Sequence, residues 1–318
     1  MQNTPDNIFN RYIELRINRD FGAILSTYFD FVRQNFKRFA NIFISYNGLF
    51  LIGLLIASYF MVTGYIGIFS YELDPYADGP TTESHLIDVF IGAGLFFLIL
   101  IVVGVLNYGL SASYIVLYQE KGELTPIDRK EVWAFTKARM GKSILFLLLV
   151  IAIAIGVFLA AVIVMIIPII GMFAQLAVQY GLMAWIGVSY LVMMKEDKGI
   201  TEAFSEGWKL VFKNFWTSIG VNFILGFLNQ IFLLVVMIAP TILVGLYTYH
   251  ILSNDVDFTQ VTPKIIYTLA LCLFLLTAVF GQCLTQFVNG ILYFSLHEKT
   301  YNTHLQEKID QIGQLDAE

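Results

Sequence analysis

The side chains in this chain that are able to do acid–base, nucleophilic or metal chemistry are few and stand apart from one another. Its four histidines, His85, His250, His297 and His304, fall at or beyond the ends of long apolar stretches. No HExxH pair, glycine-rich phosphate loop or paired-cysteine metal motif occurs. Carboxylates gather in the stretch YELDPYADGPTTESHL, where Glu72, Asp74, Asp78, Glu83, His85 and Asp88 offer mainly oxygen ligands to a divalent cation. Their spacing matches no calcium loop, so a solvated acidic loop is the expectation. Serine catalysis would need a histidine on the same side and within reach of the hydroxyl. No catalytic residue, metal or cofactor is therefore predicted, and the chain is not expected to be an enzyme. Cys272 and Cys283 stand eleven residues apart on one expected helix, roughly 16 Å along its axis, and read as packing residues rather than a pair.

Amides make up the polar content of the apolar stretches. They are Asn107, Gln175, Gln179, Asn222, Asn229, Gln230, Gln282, Gln286 and Asn289. Gln175 and Gln179 share one helical face, as do Gln282, Gln286 and Asn289. Asn107, Gln175, Gln179, Asn229, Gln282, Gln286 and Asn289 form a candidate intramembrane polar cluster. Such a cluster either lines a route for a neutral solute or lipid headgroup, or joins helices through hydrogen bonds worth about 0.6 kcal/mol each. The second reading is the expectation.

The elements that must position these groups are membrane spans. Of 318 residues, 58% are hydrophobic and only 14% charged, a composition outside the range of soluble domains. A hydrocarbon layer about 30 Å thick needs roughly 20 apolar residues in a helix. Six stretches qualify: residues 42–69, 87–118, 143–167, 169–194, 217–249 and 265–296. No Asp, Glu, Lys or Arg lies in their centres, which argues against a proton-coupled transporter or an intramembrane metalloprotease. The predicted fold is all-α, a polytopic membrane protein with six transmembrane helices.

Orientation follows from the cations. Lys and Arg cluster before the first stretch, between the second and third, between the fourth and fifth, and after the sixth, whereas residues 70–86 and 250–263 hold none. The positive-inside bias then predicts a multi-pass protein of the bacterial inner membrane with cytoplasmic N- and C-termini. The net charge of −5 does not oppose this, because the rule counts cations alone. Residues 1–41 lack the pattern of a cleavable signal, so the first span is expected to act as an uncleaved insertion signal.

Three cytoplasmic helices are predicted to lead into the hairpins. The cleanest is GITEAFSEGWKLVFKNFW, where Phe204, Trp208, Val211 and Phe215 step by four, three and four against Glu202, Ser205, Glu206, Lys209 and Lys213. Weaker copies lie at residues 21–39, with Phe21, Leu25, Tyr28, Val32 and Phe39 on one face, and at residues 125–142, with Val132, Trp133, Thr136 and Met140. Thr125 reads as the N-cap of the second copy and Pro126 as its first residue. Asn35, inside the apolar arc of the first, reads as a turn or helix end. Phe29, Trp133, Phe204, Trp208 and Phe215 are the candidate interfacial anchors, and these faces rest either in the lipid interface or on the protein's own bundle.

A shift of 104 residues carries Phe29 to Trp133 and Arg33 to Lys137, and a shift of 179 carries Phe29 to Trp208 and Asn35 to Asn214. The chain is thus read as three units of amphipathic helix plus transmembrane hairpin, about 21–118, 125–194 and 200–296. A parallel repeat of this kind keeps one topology throughout. Residues 1–20 form a cytoplasmic lead in which Ile13, Leu15 and Ile17 alternate with Glu14, Arg16 and Asn18 at strand period, and residues 297–318 form a polar cytoplasmic tail. Pro240 is expected to divide the fifth span from an apolar extension.

With RDFGAILSTYFDFVRQNF and GITEAFSEGWKLVFKNFW in view, the chain resembles a broad group of uncharacterised bacterial six-span integral membrane proteins. It is also distantly similar to the membrane domain attached to some bacterial glycerophosphodiester phosphodiesterases. The resemblance implies fold and membrane location, and it carries over no catalytic residue. On these grounds the chain is expected to be a non-enzymatic membrane scaffold or lipid-interacting protein. The alternative is a transport protein or permease subunit for a neutral solute or lipid, dependent on a separate coupling subunit. The lipid bilayer is the expected partner, with a protein on the cytoplasmic side as a second, and no nucleic acid.

Overall fold

The computed structural model describes residues 12–73, 82–122, 127–164, 170–253 and 260–315. Nine α-helices occur among them: α1 (Phe21–Leu73), α2 (Thr82–Lys121), α3 (Arg129–Ala138), α4 (Met140–Val164), α5 (Ile170–Glu196), α6 (Ile200–Lys213), α7 (Phe215–Ser253), α8 (Val261–Tyr301) and α9 (Thr303–Leu315). Six of these, α1, α2, α4, α5, α7 and α8, are long and apolar enough to cross a membrane. The chain is therefore an all-helical, multi-pass membrane protein.

The alternation at residues 13–18 does not make a strand, and no strand occurs among the described residues. Residues 12–20 are non-helical and take their partners from side chains instead. The Ile13 N–H donates to the Tyr118 hydroxyl at 2.9 Å, the Tyr12 ring stacks on Tyr118 at 5.2 Å, and the Arg19 N–H donates to Ser295 Oγ at 3.0 Å. The Arg19 guanidinium folds back on the carbonyls of Glu14 and Leu15, so a side chain does for this segment what a neighbouring strand would do. Leu15 is fully buried beneath it.

Asn35 does not end a helix. α1 runs through it for 53 residues, and its side chain explains why. Nδ2 donates to the Phe31 carbonyl one turn back at 2.9 Å, while Oδ1 accepts the Tyr114 O–H at 2.7 Å. An amide engaged in this way leaves its neighbours' backbone N–H groups to the helix. The buried stripe of this stretch is Ile24, Tyr28, Phe31, Asn35 and Phe39, with Leu25 and Val32 only half-buried and Phe21 exposed.

The other two lead-in helices do break from their spans. α3 begins after Asp128, whose N–H donates to the Glu131 carboxylate at 3.1 Å. Thr125 and Pro126 lie outside the described residues. α6 begins after Gly199, whose N–H donates to Glu202 at 3.4 Å. At the far ends, the Arg139 N–H donates to the Thr136 carbonyl and the Asn214 N–H to the Val211 carbonyl, each at 3.1 Å. These tightened last turns satisfy orphan carbonyls and end the short helices. Each break is one residue long and has a negative φ, −109° at Arg139 and −125° at Asn214. The next span restarts as the Ser143 and Ser218 N–H groups donate to the Arg139 and Asn214 carbonyls, both at 3.0 Å.

Pro240 does not interrupt α7, and the extension beyond it stays helical to Ser253. After α8 the backbone turns at Asn302, φ 52°, in the left-handed region that Asn tolerates. Glu298, buried at 5% exposure, caps the helix that follows. It accepts from the His304 N–H at 3.0 Å, the Leu305 N–H at 3.1 Å and the Thr303 hydroxyl at 3.3 Å. A carboxylate at a helix N-terminus also meets the positive end of the dipole.

The chain forms two compact units. The first comprises Met1–Ile42, Tyr108–Leu228 and Cys283–Glu318, and the second Phe43–Asn107 and Asn229–Gln282. Aromatic rings build the core of the first unit. Phe39 meets Phe287 edge-on at 4.7 Å, and Phe31 meets Phe287 at 5.3 Å and Tyr118 at 5.0 Å. A second cluster stacks Phe146 on Phe204 at 4.6 Å, with Trp185 edge-on to Phe204 at 5.3 Å and Trp208 at 5.2 Å.

Candidate functional site

In the first unit, three tyrosines with no more than 2% exposure fix the polar interior: Tyr114, Tyr190 and Tyr293. Their hydroxyls meet Asn35 Oδ1, Ser143 Oγ and Glu196 Oε1, all at 2.7 Å. Ser143 spends its proton on the Arg139 carbonyl at 3.1 Å, so Tyr190 donates to it. Beside them Thr136 and Ser113 share a hydroxyl bond of 2.8 Å that ties α3 to α2. Gln286 and Asn289, both buried, lie on the α8 face that meets α5 at Gly187. Gln286 Nε2 donates to the Gly187 carbonyl at 3.5 Å, and a Cβ on Gly187 would fall 1.9 Å from Asn289 Nδ2. Only glycine allows this contact. Gln175 and Gln179, by contrast, are exposed on α5 and do not join them.

The charged groups of this unit form a chain around Glu196. Its carboxylate accepts the Tyr293 hydroxyl, pairs with Lys198 Nζ at 2.6 Å and lies 3.8 Å from His297 Nε2. The bond from Glu196 holds the Lys198 ammonium pKa above its ordinary value. Tyr301 bonds Glu206, and Lys209 donates to Tyr301 at 2.6 Å. The His297 ring is tilted against Tyr293 at 5.7 Å and Tyr301 at 4.9 Å. No group of three or more His, Cys, Asp or Glu residues placed to hold a metal occurs among the described residues. Asp74 and Asp78 lie outside those residues, and the Glu72 side chain is likewise not described.

In the second unit, Asn47 Nδ2 donates to Asn107 Oδ1 at 2.8 Å and to the Phe43 carbonyl at 2.9 Å, joining α1 to α2 in a fully buried contact. Asn229 Nδ2 donates to the Gly281 carbonyl at 3.4 Å, and Gln282 stands half-buried beside Gly104. The same unit holds an open cleft of about 520 Å³, lined by Met61, Tyr65 and Phe69 of α1, Val89 of α2, Val244 and Thr248 of α7, and Tyr267 and Leu271 of α8. Thr248 donates to the Val244 carbonyl at 2.7 Å, so the Tyr267 hydroxyl, also 2.7 Å away, donates to Thr248. That pair satisfies itself and leaves the walls apolar.

The candidate anchors are divided among different environments. Phe204 is buried, Trp133 and Phe215 are half-buried, and Phe29 and Trp208 are about half exposed, at 51% and 48%. Asn47 is absent from the amides singled out above, although it meets the same criterion of an amide inside an apolar stretch. The cleft has no comparable signal, because it arises where four helices distant in sequence fail to fill the space among them. No family model, curated protein or solved structure matches the chain.

Proposed function

We propose that the chain is a non-enzymatic, lipid-interacting scaffold of a bacterial inner membrane, with both termini cytoplasmic. In this reading it is built from three copies of a cytoplasmic amphipathic helix followed by a transmembrane hairpin. The observation that carries the function is the fate of the amides. Gln286 donates to the Gly187 carbonyl and Asn289 packs on Gly187, Asn47 and Asn107 are closed against each other, and Gln175 and Gln179 lie elsewhere on α5. A solute route through the first unit would need the amides of α5 and α8 around one space. Closed pairs join helices instead.

The breaks at Arg139 and Asn214 support the repeat, since the same offsets, 104 and 179, carry Asn35 to both. Tyr114 and Tyr190 support it too, each being a return-span tyrosine whose hydroxyl bonds to a residue at or four beyond that junction. The first repeat, residues 21–118, then differs in one respect: its lead-in helix is fused to its span. The resemblance to phosphodiesterase membrane domains is consistent with a scaffold role and brings no hydrolytic activity.

The test is reconstitution of the full chain in liposomes, with flux of glycerol and urea followed by light scattering. Background flux is the expected result. Flux well above that of empty vesicles, abolished by Gln286→Leu, would replace the scaffold with the transport reading. Orientation is tested separately. With Cys272 and Cys283 replaced, Ser253→Cys should react with an impermeant thiol reagent from outside the cell and Ser205→Cys only after lysis.

A further inference from the structure

Three residues before Tyr267, which lines the cleft of the second unit, α8 carries a cation, Lys264. Lys264, Tyr267 and Leu271 follow one another at i, i+3 and i+7 along α8, so they stand on one helix face, with Lys264 at the end nearest the start of the span. Lys264 is half-buried and makes no ion pair or hydrogen bond with any described residue. Below it the walls are apolar, the Thr248–Tyr267 hydroxyl pair having consumed its own polarity. On α1 the lining runs from Phe69 to Met61, about 12 Å of helix. The volume, about 520 Å³, falls within the roughly 300–1,000 Å³ of sites that bury small molecules. Every lining residue lies in a helix long and apolar enough to cross a membrane.

We propose that the cleft seats one glycerophospholipid, its phosphate against Lys264 and one acyl chain between α1, α2, α7 and α8. The assignment rests on the lipid-interacting reading above and names the lipid that is bound. The charge pattern selects it. An ammonium with no described partner at this end of the cleft attracts an anionic headgroup, an exposed charge pair contributing up to about 1 kcal/mol, and the largely apolar walls favour hydrocarbon. A lipid without the phosphate would keep the chain contact and lose the rim.

The test uses the full-length protein in detergent micelles, with phosphatidylglycerol and dioleoylglycerol as probes and bound lipid counted by native mass spectrometry. Wild type should hold one phosphatidylglycerol molecule through detergent exchange. Leu271→Trp, which fills the cleft, should lower that occupancy at least tenfold, while Leu149→Trp on the exposed face of α4 should leave it unchanged. Lys264→Gln should weaken phosphatidylglycerol about fivefold and leave dioleoylglycerol as before. Unchanged retention in Leu271→Trp, or equal loss in Leu149→Trp, would mean annular lipid only and would overturn the site. If Leu271→Trp fails to fold, Lys264→Gln decides alone: equal affinity for phosphatidylglycerol with and without the lysine overturns the assignment. Solute flux in liposomes is a separate readout, so the scaffold reading can fail while the lipid remains bound.

Discussion

The bond between Asn35 and Tyr114 can be measured directly. Both residues are buried, at 3% and 0% exposure, and the hydroxyl meets Oδ1 at 2.7 Å. Tyr114→Phe keeps the ring against Phe31 and Phe39 but removes the donor, leaving Oδ1 unsatisfied while Nδ2 still holds the Phe31 carbonyl. An orphaned buried acceptor costs about 1–3 kcal/mol, whereas interhelical hydrogen bonds in membrane proteins average about 0.6 and reach about 1.7 kcal/mol. The expected loss is therefore about 1–1.5 kcal/mol. Asn35→Leu removes both amide partners and orphans the hydroxyl, with a similar loss. In the double variant neither orphan exists, so the losses should fall short of additive by about 1 kcal/mol. Unfolding in mixed micelles, followed by the fluorescence of the four tryptophans, reads all four corners of the cycle. Coupling below about 0.3 kcal/mol would refute the bond as a contributor to stability. Stabilisation by Asn35→Leu alone would likewise refute the bond as a contributor to stability.

Four further outcomes are expected. Gly207→Ala would bring a Cβ within 2.9 Å of the Ser189 Cα and should cost about 1–3 kcal/mol in the same assay. Gly245→Ala, with nothing within 4 Å, should be neutral or stabilise by up to about 1 kcal/mol. Glu307 is held below the usual carboxylate range by its two bonds to Arg16, at 3.0 and 2.9 Å. Its folded pKa thus lies below its unfolded one, so its contribution is present above about pH 4.3 and is lost as pH falls through the folded value. The pair is largely exposed and worth less than about 1 kcal/mol, so the protection of α9 amides, taken relative to intrinsic exchange at each pH, should fall modestly on acidification, and Glu307→Gln should abolish that pH dependence. Trp208→Ser combined with Phe215→Ser removes the Trp208 contacts with Trp185 and Phe212, at 5.2 and 3.5 Å, and should lower folded yield; unchanged yield and lipid retention would deny the α6 face its importance.

The spans were legible because twenty apolar residues in water have few alternatives to a membrane, and this holds whatever the neighbouring helices do. The junctions were legible only in part. Glu131 and Glu202 mark helix starts through a local bond to a backbone N–H three residues earlier, a distance sequence can encode. Asn35 could not be read this way, since its partner lies seventy-nine residues on, and the same residue type does end a helix at Asn214. In the sequence Tyr114 and Tyr190 each stand six residues before a glutamate and Tyr293 five before one, but their acceptors are an amide, a serine and a glutamate. Residue type and shared helical face within a span single out the candidate amides, but neither gives the rotation of one helix against another. Which of them meet depends on helix rotation, and this separates Gln175 and Gln179 from Gln286 and Asn289.

Glu298 sets a limit on how the chain can be shortened. It belongs to the last turn of α8, yet three donors that satisfy it come from residues 303–305. Cutting after Asn302 would look like trimming an appendage, but it would strand a carboxylate that is 95% enclosed at the foot of the last membrane helix. The end of α8 is thereby made dependent on a short helix that lies outside it.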